Sequence, residues 1–252
     1  MNAIISPRAG DGTQATFMTP LIDLGILGGM GPRATNYFMD QFLEAIELRH
    51  HPERDQDYPN LLVRYACQLP DRTAMLTSDR PALAGAISKE AQNLVNLGCR
   101  QIVMPCITAH ALLDSELSHF PFVDVRKTVA HHIATFFSQA RVGILATRGA
   151  RISRSIDRLL PPTQKVIPLE EDEEQSLMNF IYGSAKTWNG GNDIAAVDVV
   201  ANGLRSRGCD IIIAACTELE MCLAQPGQAQ DDILLPLKIT ANSWASNWTR
   251  SK

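Results

Sequence analysis

Two cysteines have a spacing that suits acid–base chemistry. Gly98-Cys99 leads through an apolar run to Cys106, and Gly208-Cys209 leads through a second apolar run to Cys216. In each case the second cysteine comes eight residues after the glycine. An ordinary thiol has a pKa of ~8.5 and is only a few per cent ionised near pH 7, so it needs help to act as a base. Two thiols facing each other across a cleft divide the work. One, as thiolate, removes a proton from carbon, and the other, as thiol, returns a proton to the opposite face. The stereocentre inverts, and the reverse reaction exchanges the roles. The same spacing also suits two small residues at tight strand-to-helix turns, and spacing alone does not choose between these readings.

The elements that must hold the two cysteines can be read from the pattern around them. Short apolar strands are predicted at 24–27, 60–65, 101–104 and 122–125, with helical patterns at 34–48 and 81–97 between them. Alternation at this spacing argues for parallel βαβ units. The second half repeats the first: Leu24-Gly25-Ile26-Leu27 is echoed by Val142-Gly143-Ile144-Leu145, as the Gly-Cys segments echo each other. The expected fold is therefore α/β, as two pseudo-symmetric lobes, each with a mainly parallel sheet flanked by helices. The expected boundaries are a flexible extension at 1–20, a first lobe at 21–125 plus 233–252, and a second lobe at 126–232. Cys106 and Cys216 then end equivalent strands, where open α/β sheets bind ligands. Helices are expected directly after them, at 108–113 and 217–223.

The remaining cysteines, Cys67, Cys99, Cys209 and Cys222, read as small structural hydrophobes. His110, four residues after Cys106, suits either pairing with its thiolate or a packing role. The loop around Trp188-Asn189-Gly190-Gly191 suits either a cover for the cleft or an anchor.

Composition narrows the classes of function. The chain has 252 residues, 45% of them hydrophobic, with 23 Lys and Arg against 27 Asp and Glu. A net charge of −4 without a basic block argues against nucleic acid as a partner. No apolar run approaches the ~18 residues of a membrane span. The six cysteines lack the close pairing of zinc ligands, so no metal site is expected. Without a signal-peptide pattern, a reducing cytoplasmic setting is expected.

Four motifs add a resemblance. Leu27-Gly28-Gly29-Met30-Gly31-Pro32-Arg33-Ala34-Thr35, Pro70-Asp71-Arg72-Thr73-Ala74, Met104-Pro105-Cys106-Ile107-Thr108-Ala109-His110 and Ala215-Cys216-Thr217-Glu218 together resemble the aspartate/glutamate racemase family. The similarity runs over about residues 24–245. It implies a pyridoxal-phosphate-independent amino-acid racemase without a cofactor, commonly a homodimer, with its active site between two lobes. By position it implies that Cys106 and Cys216 are the catalytic pair, and that Arg72 and Lys186 bind the side-chain carboxylate of an acidic substrate. It also implies that Met30 forms a wall of the site and that Thr108, Thr147 and Thr217 contribute to substrate binding. Aspartate is favoured over glutamate.

Three positions depart from the family pattern. Ile107 replaces an asparagine, Ala150 a threonine and Lys238 an aspartate. They keep two alternatives open: an isomerase, cyclase or decarboxylase acting on a different carboxylate, and an inactive ligand-binding homologue.

Overall fold

The computed structural model describes residues 22–187 and 194–249. The expected extension at 1–20 and the Trp188-Asn189-Gly190-Gly191 loop lie outside the described residues. Strands β1 (Leu24–Gly28), β2 (Leu61–Tyr65), β3 (Ile102–Val103) and β4 (Phe122–Val123) form a parallel sheet in the order β2-β1-β3-β4. Strands β5 (Val142–Ala146), β6 (Val166–Ile167), β7 (Ile211–Ala215) and β8 (Ile233–Leu234) form a second, in the order β6-β5-β7-β8. The two orders are the same, so β3 and β7, which lead to Cys106 and Cys216, occupy equivalent places.

The repeat extends to packing. A Cβ at Gly25 would lie 2.8 Å from the Cys99 sulfur, and one at Gly143 would lie 2.9 Å from the Cys209 sulfur. Each sheet thus sets a glycine of its first strand against the cysteine that opens its third. Both cysteines are buried, as small hydrophobes filling that gap. Cys222 is also buried, whereas Cys67 is exposed and does not have the structural role expected of it.

Helices α1 (Pro32–His50), α2 (Arg72–Ser78) and α3 (Arg80–Asn96) fall among the strands of the first sheet. Local chemistry sets their ends. Pro32 starts α1, where a missing N–H costs nothing. Asp71 caps α2 by accepting from Ala74 N–H at 2.9 Å, and Asp79 caps α3 by accepting from Ala82 N–H at 3.0 Å. Later in the chain come α4 (Val125–Phe136), α5 (Arg148–Ile152), α6 (Glu171–Phe180), α7 (Ala195–Ser206), α8 (Thr217–Leu223) and α9 (Pro236–Asn247).

The helix expected after Cys216 is α8, but after Cys106 the chain forms a 3-10 turn, Ile107–Leu112. Ile107 and Thr108 are β-branched and weak helix formers, and the buried His110 ring bonds back to the Met104 carbonyl at 3.1 Å.

The lobes share a core. One buried cluster joins Leu24 and Ile26 of β1 to Val142 of β5, Ile211 and Ile213 of β7, and Leu237 and Ala241 of α9. Two further clusters lie within single lobes. Strand β8 pairs with β7, so residues 233 and 234 belong to the second sheet, and the chain returns only afterwards to pack α9 on α1 and α4. Among the described residues no helix is long and apolar enough to cross a membrane.

Candidate active site

The turn after β1 brings the first wall of the site into place. Gly29 has φ +89°, and a Cβ there would lie 2.6 Å from the Ala66 nitrogen, so only glycine fits. A Cβ at Gly28 would collide with Thr35, whose hydroxyl accepts from Gly29 N–H at 3.0 Å. Met30 follows, buried, two residues before α1 begins.

One small cavity is lined by Met30, Arg72, Thr73, Cys106, Ile107, Thr108, Thr147, Lys186, Cys216, Thr217 and Glu218. All the site residues expected from the sequence are among them. Cys106 reaches it from the end of β3 and Cys216 from the end of β7, and both are nearly fully buried. The cavity measures about 10 Å³, room for one water molecule at most. A larger hollow of about 340 Å³ beside Trp244 and Trp248 is lined by no cysteine.

Two cations enter from different lobes. Arg72 opens α2, and its guanidinium is held by backbone carbonyls, donating to Met30 at 3.0 Å and Pro70 at 3.0 Å. Burial works against its charge, but the Cys106 thiol and Asp71 beside it outweigh burial and hold its pKa above the ordinary value. Lys186 follows α6, which ends in a π turn, Ile181–Ala185. Its ammonium lies 4.3 Å from the centre of the Tyr182 ring and 3.8 Å from Asp71. Burial again opposes the charge, and Glu218, Tyr182 and both thiols raise the pKa despite it.

Asp71 therefore does three things. It caps α2, pairs with Lys186 across the lobes, and accepts from the Tyr182 hydroxyl at 2.9 Å. Partial burial alone would raise its pKa, but the Ala74 N–H, Tyr182 and Lys186 hold it below the usual carboxylate value.

The surroundings of the two thiols differ. Cys216 donates to the Glu218 carboxylate at 3.2 Å, and Thr217 donates to the same oxygen at 3.0 Å. Burial, and then the charge of Glu218, push the Cys216 thiol well above the ordinary range. Cys106 instead stands beside the Arg72 guanidinium. His110 does not pair with it: one ring nitrogen bonds the Met104 carbonyl and the other faces Asp124 at 3.6 Å.

Of the three departures from the family pattern, only Ile107 lines the cavity. Ala150 is buried within α5, and the Lys238 side chain is exposed on α9. Arg148 pairs with Glu174 at 2.7 Å, away from the cavity lining. Sequence reasoning gave no role to Thr73 or to Glu218. Its available signal for Glu218 was position: two residues after Cys216, in the first turn of α8. Among the described residues no three His, Cys, Asp or Glu side chains converge as a metal site.

Comparison with known proteins agrees with this architecture. A broad-specificity amino-acid racemase of Bacillus subtilis is 26% identical over 204 residues, covering 79% of this chain and 87% of that protein. The aspartate racemase of Picrophilus torridus shares the fold with a TM-score of 0.70 at 21% identity, over 89% of this chain and 94% of that one. A glutamate racemase of Thermus thermophilus shares it with a TM-score of 0.57 at 19% identity, over 90% of this chain and 80% of that one. The Asp/Glu/hydantoin racemase family model matches residues 27–242, and with that match over most of its length the chain belongs to this family of isomerases.

Proposed function

We propose that the protein racemises acidic amino acids without a cofactor, with aspartate favoured over glutamate, and that Cys106 and Cys216 are the two bases. The observation that carries this reading is the convergence of both thiols, from equivalent strand ends, on one cavity that also holds Arg72 and Lys186.

In this mechanism the thiolate of one cysteine takes the Cα proton and becomes a thiol. The other thiol gives its proton to the opposite face and becomes a thiolate. Negative charge develops on the α-carboxylate as the Cα–H bond breaks, and hydrogen-bond donors placed there lower the barrier. Thr108, Thr147 and Thr217 all line the cavity, where the Thr108 and Thr147 hydroxyls bond each other and the Thr217 hydroxyl donates to Glu218. Arg72 and Lys186 supply charge for a second carboxylate, with the guanidinium suited to a bidentate contact. A cavity of about 10 Å³ is too small for an amino acid, so the lobes part for entry and close over the substrate.

The test is direct. With L-aspartate in D₂O the protein should yield D-aspartate carrying deuterium at Cα. Absence of both inversion and Cα exchange with every acidic amino acid would rule the reading out.

A second reading is favoured by Ile107, an apolar residue in the cavity lining where the family pattern places an asparagine. It assigns the same two-thiol chemistry to a carboxylate other than aspartate or glutamate. Inversion or exchange confined to such a substrate would select it.

A further inference from the structure

We infer that Glu218 is the recognition site for the substrate's α-ammonium group, and that it restricts the enzyme to acids with a free, charged amine. This rests on the amino-acid racemase reading above and deepens it.

Three observations carry the inference. First, the two oxygens of Glu218 are used unequally. Oε2 accepts from Cys216 and Thr217, whereas Oε1 is buried with no hydrogen-bond partner among the described residues. The residue is only 5% exposed and lines the cavity. An unpartnered carboxylate oxygen in such a place is costly unless something that enters the cavity completes it.

Second, Oε1 faces the first lobe. It stands 3.4 Å from where a Cβ of residue 31 would be, and glycine at that position leaves the approach uncrowded. A ligand between the lobes therefore meets Oε1 from the side of Met30 and Gly31.

Third, the charges match. The cavity lining contains two cations, Arg72 and Lys186, and one carboxylate, Glu218. An aminodicarboxylic acid contains the complement, two carboxylates and one ammonium. When the acid's carboxylates engage the cations, they draw off the positive charge that both now direct at Glu218. Its free oxygen then has the ammonium as counter-charge. Because Oε2 is bonded to Cys216, the same side chain ties the amine to the thiol that must address Cα.

N-acylated amino acids and hydantoins carry no positive charge on this nitrogen. The inference therefore separates this chain from members of its family that process the ring compounds.

Calorimetric titration of the full-length protein with L-aspartate, succinate and N-acetyl-L-aspartate tests it. Succinate has both carboxylates and lacks only the amine. The unmodified protein should bind L-aspartate about tenfold or more tightly than succinate and N-acetyl-L-aspartate. In Glu218→Gln the preference over succinate should collapse to about twofold or less, while succinate affinity stays the same or improves. Glu218→Asp, which keeps the charge, should retain part of the preference.

Equal binding of aspartate and succinate by the unmodified protein overturns the inference and leaves the acidic-substrate reading standing. So does a preference that survives intact in a folded Glu218→Gln protein. Failure of the unmodified protein to bind any of the three acids overturns the acidic-substrate reading itself, and the inference with it. The first comparison needs no variant, so misfolding of Glu218→Gln does not remove the test.

Discussion

The hydroxyls of Thr108 and Thr147 lie 2.8 Å apart, and they belong to different lobes. Thr108 sits in the turn after Cys106, and Thr147 caps α5 by accepting from Ala150 N–H at 3.2 Å. The contact joins the loop that carries one thiol to the helix end opposite it. With the Tyr182–Asp71 bond it links the two lobes by hydrogen bonds, which part more readily than the apolar core they share.

If Cys106 and Cys216 are the two bases, removing either should stop inversion but not all proton exchange. Cys106→Ala and Cys216→Ala are each expected to lower racemisation about 10²–10⁴-fold. Each remaining thiol should still exchange the Cα proton of one enantiomer, and the two variants should prefer opposite enantiomers. Proton NMR in D₂O with separate L- and D-aspartate measures this. Full inversion by either variant would contradict the assignment.

Ile107 sits where the family pattern has an asparagine. It is packed into the shared core while lining the cavity. Ile107→Asn should raise kcat/KM for aspartate roughly tenfold, by adding a donor near a substrate carboxylate, and lower Tm because a buried apolar contact is lost. Chiral chromatography of the product and a thermal melt measure the two effects. A fall in both quantities would mean that the native substrate does not need that donor.

Gly149 lets α5 approach the first lobe closely. A Cβ there would lie 2.9 Å from Thr73 Cα and 3.1 Å from Thr108 Cγ2. Gly149→Ala should wedge the lobes apart, cost about 1–3 kcal/mol of stability and reduce kcat/KM about tenfold or more. Denaturant titration alongside steady-state assays measures this, and an unchanged kcat/KM would mean that lobe closure tolerates the methyl group.

Glu220 gives a pH-dependent stability. It is fully buried on α8, accepts from the Tyr37 hydroxyl at 3.2 Å, and accepts from Leu237 N–H at 2.8 Å and Lys238 N–H at 2.9 Å at the start of α9. Burial pushes its pKa from 4.5 up to about 7. The native state therefore holds this proton more tightly than the unfolded chain does. The stabilising contribution is complete below pH 4.5 and is lost as pH rises through about 7, a change of about 3 kcal/mol. Urea midpoints at pH 5 and pH 8 should differ more for the native sequence than for Glu220→Gln. Parallel behaviour of the two proteins would assign the pH dependence elsewhere.

Much of the fold was legible because periodicity and repetition are local. The parallel strands, α1 and α3, and the equivalence of Cys106 with Cys216 follow from apolar runs and the repeated Gly-Cys segment. The boundary at residue 233 was less legible. A two-residue strand such as β8 has no period to read, and its place is set by pairing with β7. The 3-10 turn after Cys106 was missed because its tightness comes from the His110–Met104 bond in the folded protein.

By itself the sequence determined which side chains were present for the chemistry, and which family they resemble. Tertiary structure alone decided that Glu218 holds Cys216 and keeps one oxygen free, that His110 turns away from Cys106, and that Ala150 and Lys238 lie outside the cavity lining. These are contacts between elements distant along the chain or choices of side-chain direction. Burial and packing set both, and no local pattern encodes either.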